Sequence, residues 1–168
     1  MAYALHLFVA GETVTAATLN QATYYNDSYL GGTDGKSGTV GVGPVGFATD
    51  TSAEQSTASA TYVDITGATV TLTSKGGELL VTFSAPIGNT TAAGVTVVAL
   101  QLDSNAEVEV GRVIPHYAGS LLYEQFCATY RFTGVAAGSH TIKARFKAVS
   151  GTAYSYAPRN LLVVEVRS

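Results

Sequence analysis

The fold is decided by residues 139–148, which read SHTIKARFKA. Apolar and polar side chains alternate there without interruption, and the apolar set is Ile142, Ala144, Phe146 and Ala148. Successive side chains of a β-strand point to opposite faces, so this alternation predicts a strand with one buried face and one solvated face. A strand of this kind belongs in a sheet that packs against a second layer.

Seven other strand-like runs extend this pattern through most of the chain. They are residues 62–65, 68–73, 78–85, 95–102, 108–114, 126–132 and 161–166. Gly76-Gly77 and Asp103–Asn105 predict turns, and the nearly unbroken apolar run at 95–102 predicts a strand buried on both faces. Turns recur at short intervals and no helix interrupts the strands. The sequence therefore predicts an all-β fold, an antiparallel two-sheet sandwich and most simply a jelly roll.

Residues 1–55 differ from the rest and predict an N-terminal anchoring arm ahead of a jelly-roll domain at 56–168. Ala4–Ala10 is a short apolar piece, and Thr15 can cap one short helix over about residues 16–29. The Gly-rich stretch that follows indicates either a linker or an arm that becomes ordered against a partner. The arm residues predicted to contact a partner are Leu7, Phe8, Val9, Leu19, Tyr25 and Tyr29.

Charged residues are scarce. They make up 12% of the chain, about half of the usual share of about 25%. A surface with few charges, 18 Gly and 10 Tyr is typical of a subunit buried in an assembly and also of many extracellular β-proteins. The net charge of −3 gives no electrostatic reason to bind nucleic acid or an anionic membrane. Without a signal-peptide pattern, we expect synthesis in a cytoplasm and export only within a larger particle.

The last strand-like run carries apolar side chains on both faces at residues 161–164. One face can pack in the core, whereas the other needs a cover, which is either a loop of the same chain or the neighbouring subunits of a compact homotrimer. Tyrosines in loops and turns can line the same interface. The predicted subunit-interface residues are Tyr117, Tyr123, Tyr154, Tyr156, Leu161 and Val163.

No combination of residues indicates a reaction, a cofactor or a metal. His6, His116 and His140 each lack a second ligand at metal-binding spacing. Glu107 and Glu109 share a strand face, which more commonly means a solvated face than a pair of glycosidase carboxylates. We therefore expect a non-enzymatic protein with no catalytic residues and no cofactor.

Two further features have a structural interpretation. Lys143, Arg145 and Lys147 form a basic row, which indicates either the solvated side of a strand or a surface for acidic groups. Cys127 is the single cysteine, so no internal disulfide can form, and we expect a packed thiol rather than a nucleophile.

Two parts of the chain resemble structural proteins of tailed bacteriophages. Residues 8–20, which read FVAGETVTAATLN and are followed by Asn26-Asp27, are similar to the start of many phage virion proteins. The part from 132–141, FTGVAAGSHT, to 161–166, LLVVEV, resembles the end of phage jelly-roll domains of the tumour-necrosis-factor-like type. This resemblance implies trimers that sit on capsids or tail appendages, and it implies no catalytic residues.

These observations lead to two expectations for function. The first is a virion structural protein, a homotrimeric capsid decoration or cement protein that contacts the major capsid protein or another virion protein through its arm. The second is a tail-appendage or receptor-binding module that recognises host carbohydrate through loops at 86–94 and 115–123. An enzyme acting on cell-wall sugar would have only Glu107, Glu109 and Glu124 to use. For both viral functions, we expect the mature protein in the virion.

Overall fold

A computed structural model describes residues 41–91, 93–114 and 122–167 of the chain. The strands in these ranges are β1 (Gly41–Asp50), β2 (Gln55–Thr57), β3 (Val63–Asn89), β4 (Thr96–Leu102), β5 (Val108–Val113), β6 (Leu122–Ala148), β7 (Ala153–Ser155) and β8 (Arg159–Arg167). The described part contains no helix and so none that could span a membrane. The predicted helix at 16–29 lies outside it. Every strand pair is antiparallel, which confirms the predicted all-β antiparallel class.

The two long strands, β3 and β6, run through both layers of the molecule. Sheet I consists of β1, β8, residues 77–89 of β3 and residues 122–135 of β6, in that order, and β7 and β2 extend one end of it. Sheet II consists of residues 63–75 of β3, residues 137–148 of β6, β4 and β5. The inner faces of the two sheets enclose one hydrophobic core, so the fold is the predicted jelly-roll sandwich.

Glycines allow the long strands to pass from one sheet to the other. Gly77 has a φ of 134° in β3, and Gly134 has a φ of 66° in β6, values that side chains with a Cβ rarely adopt. The prediction that Gly76-Gly77 ends a strand is wrong, because β6 keeps pairing with β3 on both sides of the bend, at Lys75 and again at Leu79. Long-range pairing thus converts an expected turn into a bend.

The alternating patterns predicted the core faces correctly. Ile142, Ala144 and Phe146 are completely buried, and Leu79 to Ala85 bury every second side chain. In β4, six of the seven residues are buried, which confirms the prediction of a strand covered on both faces. The core therefore lies where period-2 alternation places it.

The sandwich begins earlier in the chain than the predicted boundary at residue 55, because β1 pairs along β8. Val45 lies opposite Val164, and Phe47 lies opposite Leu162. A Cβ on Gly46 would overlap the Val70 side chain, so a glycine is needed where β1 crosses sheet II. Part of the Gly-rich stretch is therefore a closely packed strand rather than a linker.

Candidate subunit interface

Apolar side chains lie on the outer face of sheet I, the face that points away from the core. Val45 and Phe47 are 59% and 62% exposed, and Leu80 and Leu162 are 38% and 36% exposed. Val164 lies between Val45 and Leu80 in the register, and Leu162 lies beside Phe47. Directly opposite residues of antiparallel strands share a face, so these five side chains form one surface across three strands. We call these five residues the apolar patch.

The apolar patch favours association with another surface. Completely burying a large apolar side chain stabilises a protein or a complex by roughly 1.5–3 kcal/mol. Covering only the exposed fraction of Phe47 or of Val45 would therefore contribute about 1 kcal/mol for each residue to an association. Single exposed apolar residues are common, but a contiguous group on a flat sheet usually marks an interface. The patch therefore makes the outer face of sheet I the candidate site.

A polar, uncharged row follows the apolar patch along the same face. Thr49 Oγ1 donates to Asn160 Oδ1 at 2.8 Å, and Cys127 lies in this row and is exposed. The expectation of a packed thiol is therefore wrong, because the face that carries Cys127 is left open by the described chain. Charged residues lie at the end of this face that is remote from the polar row, where Arg131 is 3.4 Å from Glu78. A face of this composition loses little solvation of charge when it is covered.

Three of the predicted interface tyrosines come together beyond this row. Tyr123 and Tyr154 flank Gly88 on opposite sides in the register, and glycine leaves space between them. The ring of Tyr156 lies 5.1 Å from that of Tyr123 and 6.0 Å from that of Tyr154. Burial and, after it, the nearby carboxylate of Glu54 raise the pKa of Tyr156 to about 12, so its hydroxyl stays neutral at physiological pH. We call these three residues the tyrosine cluster.

The outer face of sheet II has the opposite character. The Arg145 guanidinium forms ion pairs with Glu107 and with Asp64, at 2.8 Å to the latter, and donates to the Tyr62 carbonyl at 2.9 Å. Lys143 lies 2.7 Å from the other oxygen of Asp64. Most of the predicted basic row is therefore neutralised by acidic residues from other strands.

Further charges lie on the same face. The Lys147 ammonium lies 4.2 Å from the centre of the Tyr62 ring, and Arg112 forms an ion pair with Glu109 at 2.6 Å. The hydrogen bond from Arg112 lowers the pKa of Glu109, which keeps this carboxylate ionised. An outer face with this many charges is suited to water, whereas the outer face of sheet I is suited to a partner.

Two of the predicted interface residues lie elsewhere. Leu161 and Val163 are completely buried in the core of their own chain, opposite Phe83 and Val81 of β3. They are covered within one chain, so the alternate residue Leu162 takes their place at the outer surface. The remaining predicted contacts lie outside the described residues: Leu7, Phe8, Val9, Leu19, Tyr25, Tyr29 and Tyr117.

A buried arginine secures the point where β1 leaves the sheet. Arg159, at the start of β8, is completely buried and donates to Asp50 at 2.5 Å and to the Ala53 carbonyl at 2.7 Å. It also donates to the carbonyl of Ser155 at 2.9 Å. Hydrogen bonds from Ser52 and then from Arg159 lower the pKa of Asp50, so this acceptor is ionised at neutral pH. The sequence did not predict the ion pair between Asp50 and Arg159, because the two residues are 109 positions apart.

Metal-binding and catalytic clusters were not predicted, and the described ranges contain no group of three or more His, Cys, Asp or Glu that could hold a metal ion. His140 lies 2.8 Å from Asp103 as a single pair. Of the three acidic residues that an enzyme acting on sugar would have to use, Glu107 and Glu109 are ion-paired with Arg145 and Arg112, and Glu124 is exposed.

No protein-family model and no curated protein sequence matches this chain. Among solved structures, Eiger TNF from S. frugiperda is similar at 9% sequence identity with a TM-score of 0.45. The match covers 74% of this chain and 92% of that chain. A structure of infectious bursal disease virus Gx strain is similar at 12% identity with a TM-score of 0.44, over 74% of this chain and 32% of that chain. Both are distant likenesses.

Proposed function

We propose that this chain is a non-enzymatic structural protein of a phage particle, and specifically a homotrimeric capsid decoration protein. The proposal is supported by the resemblance of residues 8–20 to the start of phage virion proteins. The structural observation that carries it is the apolar patch on the outer face of sheet I. A decoration protein has to bind copies of itself and the shell, and it requires no catalytic site.

In the proposed trimer, the outer face of sheet I packs against neighbouring subunits, and the charged outer face of sheet II faces solvent. The apolar patch and the tyrosine cluster lie on the same face, so one contact between subunits can cover both. Aromatic side chains contribute large contact areas at interfaces, and Tyr123 is 62% exposed in the single chain. The partners at this face are thus further copies of the chain.

Residues 1–40, the part of the predicted arm that precedes β1, are proposed to bind the shell. β1 starts at Gly41 and is held to the sandwich by β8 and by Arg159. Three arms on one trimer would bind together, so a weak contact for each arm becomes a strong attachment for the trimer. The partner is the major capsid protein or another virion protein, and the mature location is the virion.

Removal of residues 1–40 tests this division of roles, because the described sandwich starts at Gly41. We expect the shortened chain to form the same oligomer as the full chain but to lose binding to particles that lack the protein. Co-sedimentation with such particles measures the binding, and the full-length chain is the control. Binding that survives the truncation would contradict the proposed role of the arm, and loss of the oligomer would show that the arm also joins subunits.

The second candidate is a tail-appendage or receptor-binding module that recognises host carbohydrate. The tyrosine cluster favours it, because the exposed ring of Tyr123 provides a flat apolar surface that can stack on a sugar ring while its hydroxyl forms hydrogen bonds. Antibody labelling of purified virions in the electron microscope separates the two candidates. Many copies over the head would support decoration, whereas a few copies at the tail tip would support host recognition.

A further inference from the structure

His140 is held between two acceptors at the end of the sandwich. Its Nδ1 lies 2.8 Å from a carboxylate oxygen of Asp103, and its Nε2 lies 3.0 Å from the carbonyl oxygen of Ala136. The His140 side chain is only 14% exposed, whereas the Asp103 side chain is 40% exposed. A neutral imidazole carries one N–H and can donate to one of these oxygens, whereas the imidazolium donates to both. The geometry therefore matches the protonated ring.

The acceptor Asp103 is itself fixed in place. Its φ of 53° is unusual for a residue with a side chain, and it lies in the turn between β4 and β5. Its second carboxylate oxygen accepts from the Thr141 amide at 2.8 Å, and its own amide donates to the Thr141 carbonyl at 2.7 Å. The carboxylate is thus held at His140 by β6 as well as by the turn.

The surroundings of the ring contain few other charges. On the neighbouring strand β3, Leu72 lies opposite His140, and the adjacent residues of β6 are Ser139 and Thr141. The charge that acts on the ring among the described residues is that of Asp103. Ala136, the other acceptor, lies in the bend where β6 passes between the sheets.

We propose that His140 and Asp103 form a protonation-dependent clasp, which fixes the β4–β5 turn to the bend of β6 when the imidazole carries its second proton. The clasp makes the sandwich more resistant to unfolding at mildly acidic pH than at alkaline pH. The role is a property of the fold and does not depend on the proposed virion function.

The sign of this pH dependence of stability follows from the linkage between protonation and folding. Hydrogen bonds to Asp103 and then to the Ala136 carbonyl raise the pKa of His140 above its ordinary value. Stabilisation is therefore complete below the unfolded-state pKa of about 6.5 and is lost as the pH rises through the higher folded-state pKa. The pKa of Asp103 is lowered, first by the Thr141 amide, so its own contribution is lost only at more acidic pH.

Urea unfolding at about pH 5.5 and about pH 8.5, at one protein concentration, tests the clasp in a Cys127→Ser background that prevents intermolecular disulfides. We expect the wild-type unfolding constant to be several-fold smaller at the acidic pH, with about tenfold for each unit between the folded and unfolded pKa values. In Asp103→Asn, which keeps an acceptor for the Thr141 amide but removes the charge, this pH dependence should shrink. An undiminished dependence in Asp103→Asn would overturn the proposal.

The other two histidines provide the control. A His6→Gln/His116→Gln variant leaves His140 as the sole histidine and should keep the pH dependence of the wild type. Proton NMR of this variant gives the titration midpoint of His140 directly in the folded state, even if Asp103→Asn does not fold. We expect a midpoint above the value of about 6.5 of an unperturbed histidine. A midpoint at or below that value, or a loss of the pH dependence in the double variant, would overturn the clasp.

Discussion

Arg159 is the residue whose replacement should damage the sandwich most specifically. In Arg159→Met, Asp50 and the carbonyls of Ala53 and Ser155 lose the hydrogen bonds that the buried guanidinium donates, while Asp50 keeps those from Ser52. Removing one partner of a buried charged network costs about 3 kcal/mol or more, so we expect a loss of that size in the free energy of unfolding. Urea unfolding at neutral pH measures it.

Two variants calibrate this result. Arg159→Lys keeps the charge but not the planar set of donors, so we expect an intermediate loss. Arg112→Met removes an arginine from the exposed ion pair with Glu109 and should change stability little, because exposed pairs contribute little. If Arg159→Met were as stable as the wild type, Arg159 would not hold β1 to the rest of the fold.

At the scale of single residues, the sequence predicts faces better than partners. Alternation correctly separates Lys143 and Arg145 from the buried Ile142, but it cannot identify Asp64, which pairs with Lys143 from 79 residues away. Likewise, residues 161–164 predicted two apolar faces, and only the register with β3 shows that Leu162 is the outer one. Pairings of this kind depend on the topology, which a local pattern does not contain.

At the scale of elements, short periodic runs predicted most strands of the sheets but not their continuity. β3 and β6 are 27 residues each, although Gly76-Gly77 and the segment around Gly134 were predicted to interrupt them. Glycine favours turns locally, yet here it supplies positive φ values inside a continuous ladder. β1 was missed for a related reason, because three glycines and a proline among residues 41–50 obscure its alternation.

The bend in β6 can be tested at Gly134, which has a φ of 66° and no atom within 4 Å of the position that a Cβ would occupy. Gly134→Ala therefore adds no clash, and the expected loss of about 1 kcal/mol in the free energy of unfolding would come from the backbone alone. Gly134→Asn should lose less, because asparagine tolerates this conformation better. Thermal and urea unfolding of the two variants give the comparison. A Gly134→Ala protein of unchanged stability would show that the bend does not need a positive φ.

At the scale of the whole molecule, the two outer faces divide the surface into an ion-paired side and an apolar side. The sequence predicts a subunit interface from its few charges and its tyrosines. That interface stays a prediction, and the structure shows that Tyr123, Tyr154 and Tyr156 lie together on one face. The sequence did not predict that Val45 and Phe47 would be exposed on this face, because both residues lie in a stretch assigned to the arm. The apolar patch exists only once β1 is placed beside β8.

The mass of the chain in solution tests the central claim, that copies of the chain cover the outer face of sheet I. By light scattering after size exclusion, we expect a trimer of about 52 kDa from chains of 17.3 kDa. Phe47→Glu/Leu162→Glu should give folded monomers, because it places two charges in each apolar patch. Thr71→Glu/Thr73→Glu adds the same charges to the exposed outer face of sheet II and should leave the trimer intact. A monomeric wild type, or a trimer that persists in Phe47→Glu/Leu162→Glu, would contradict the claim.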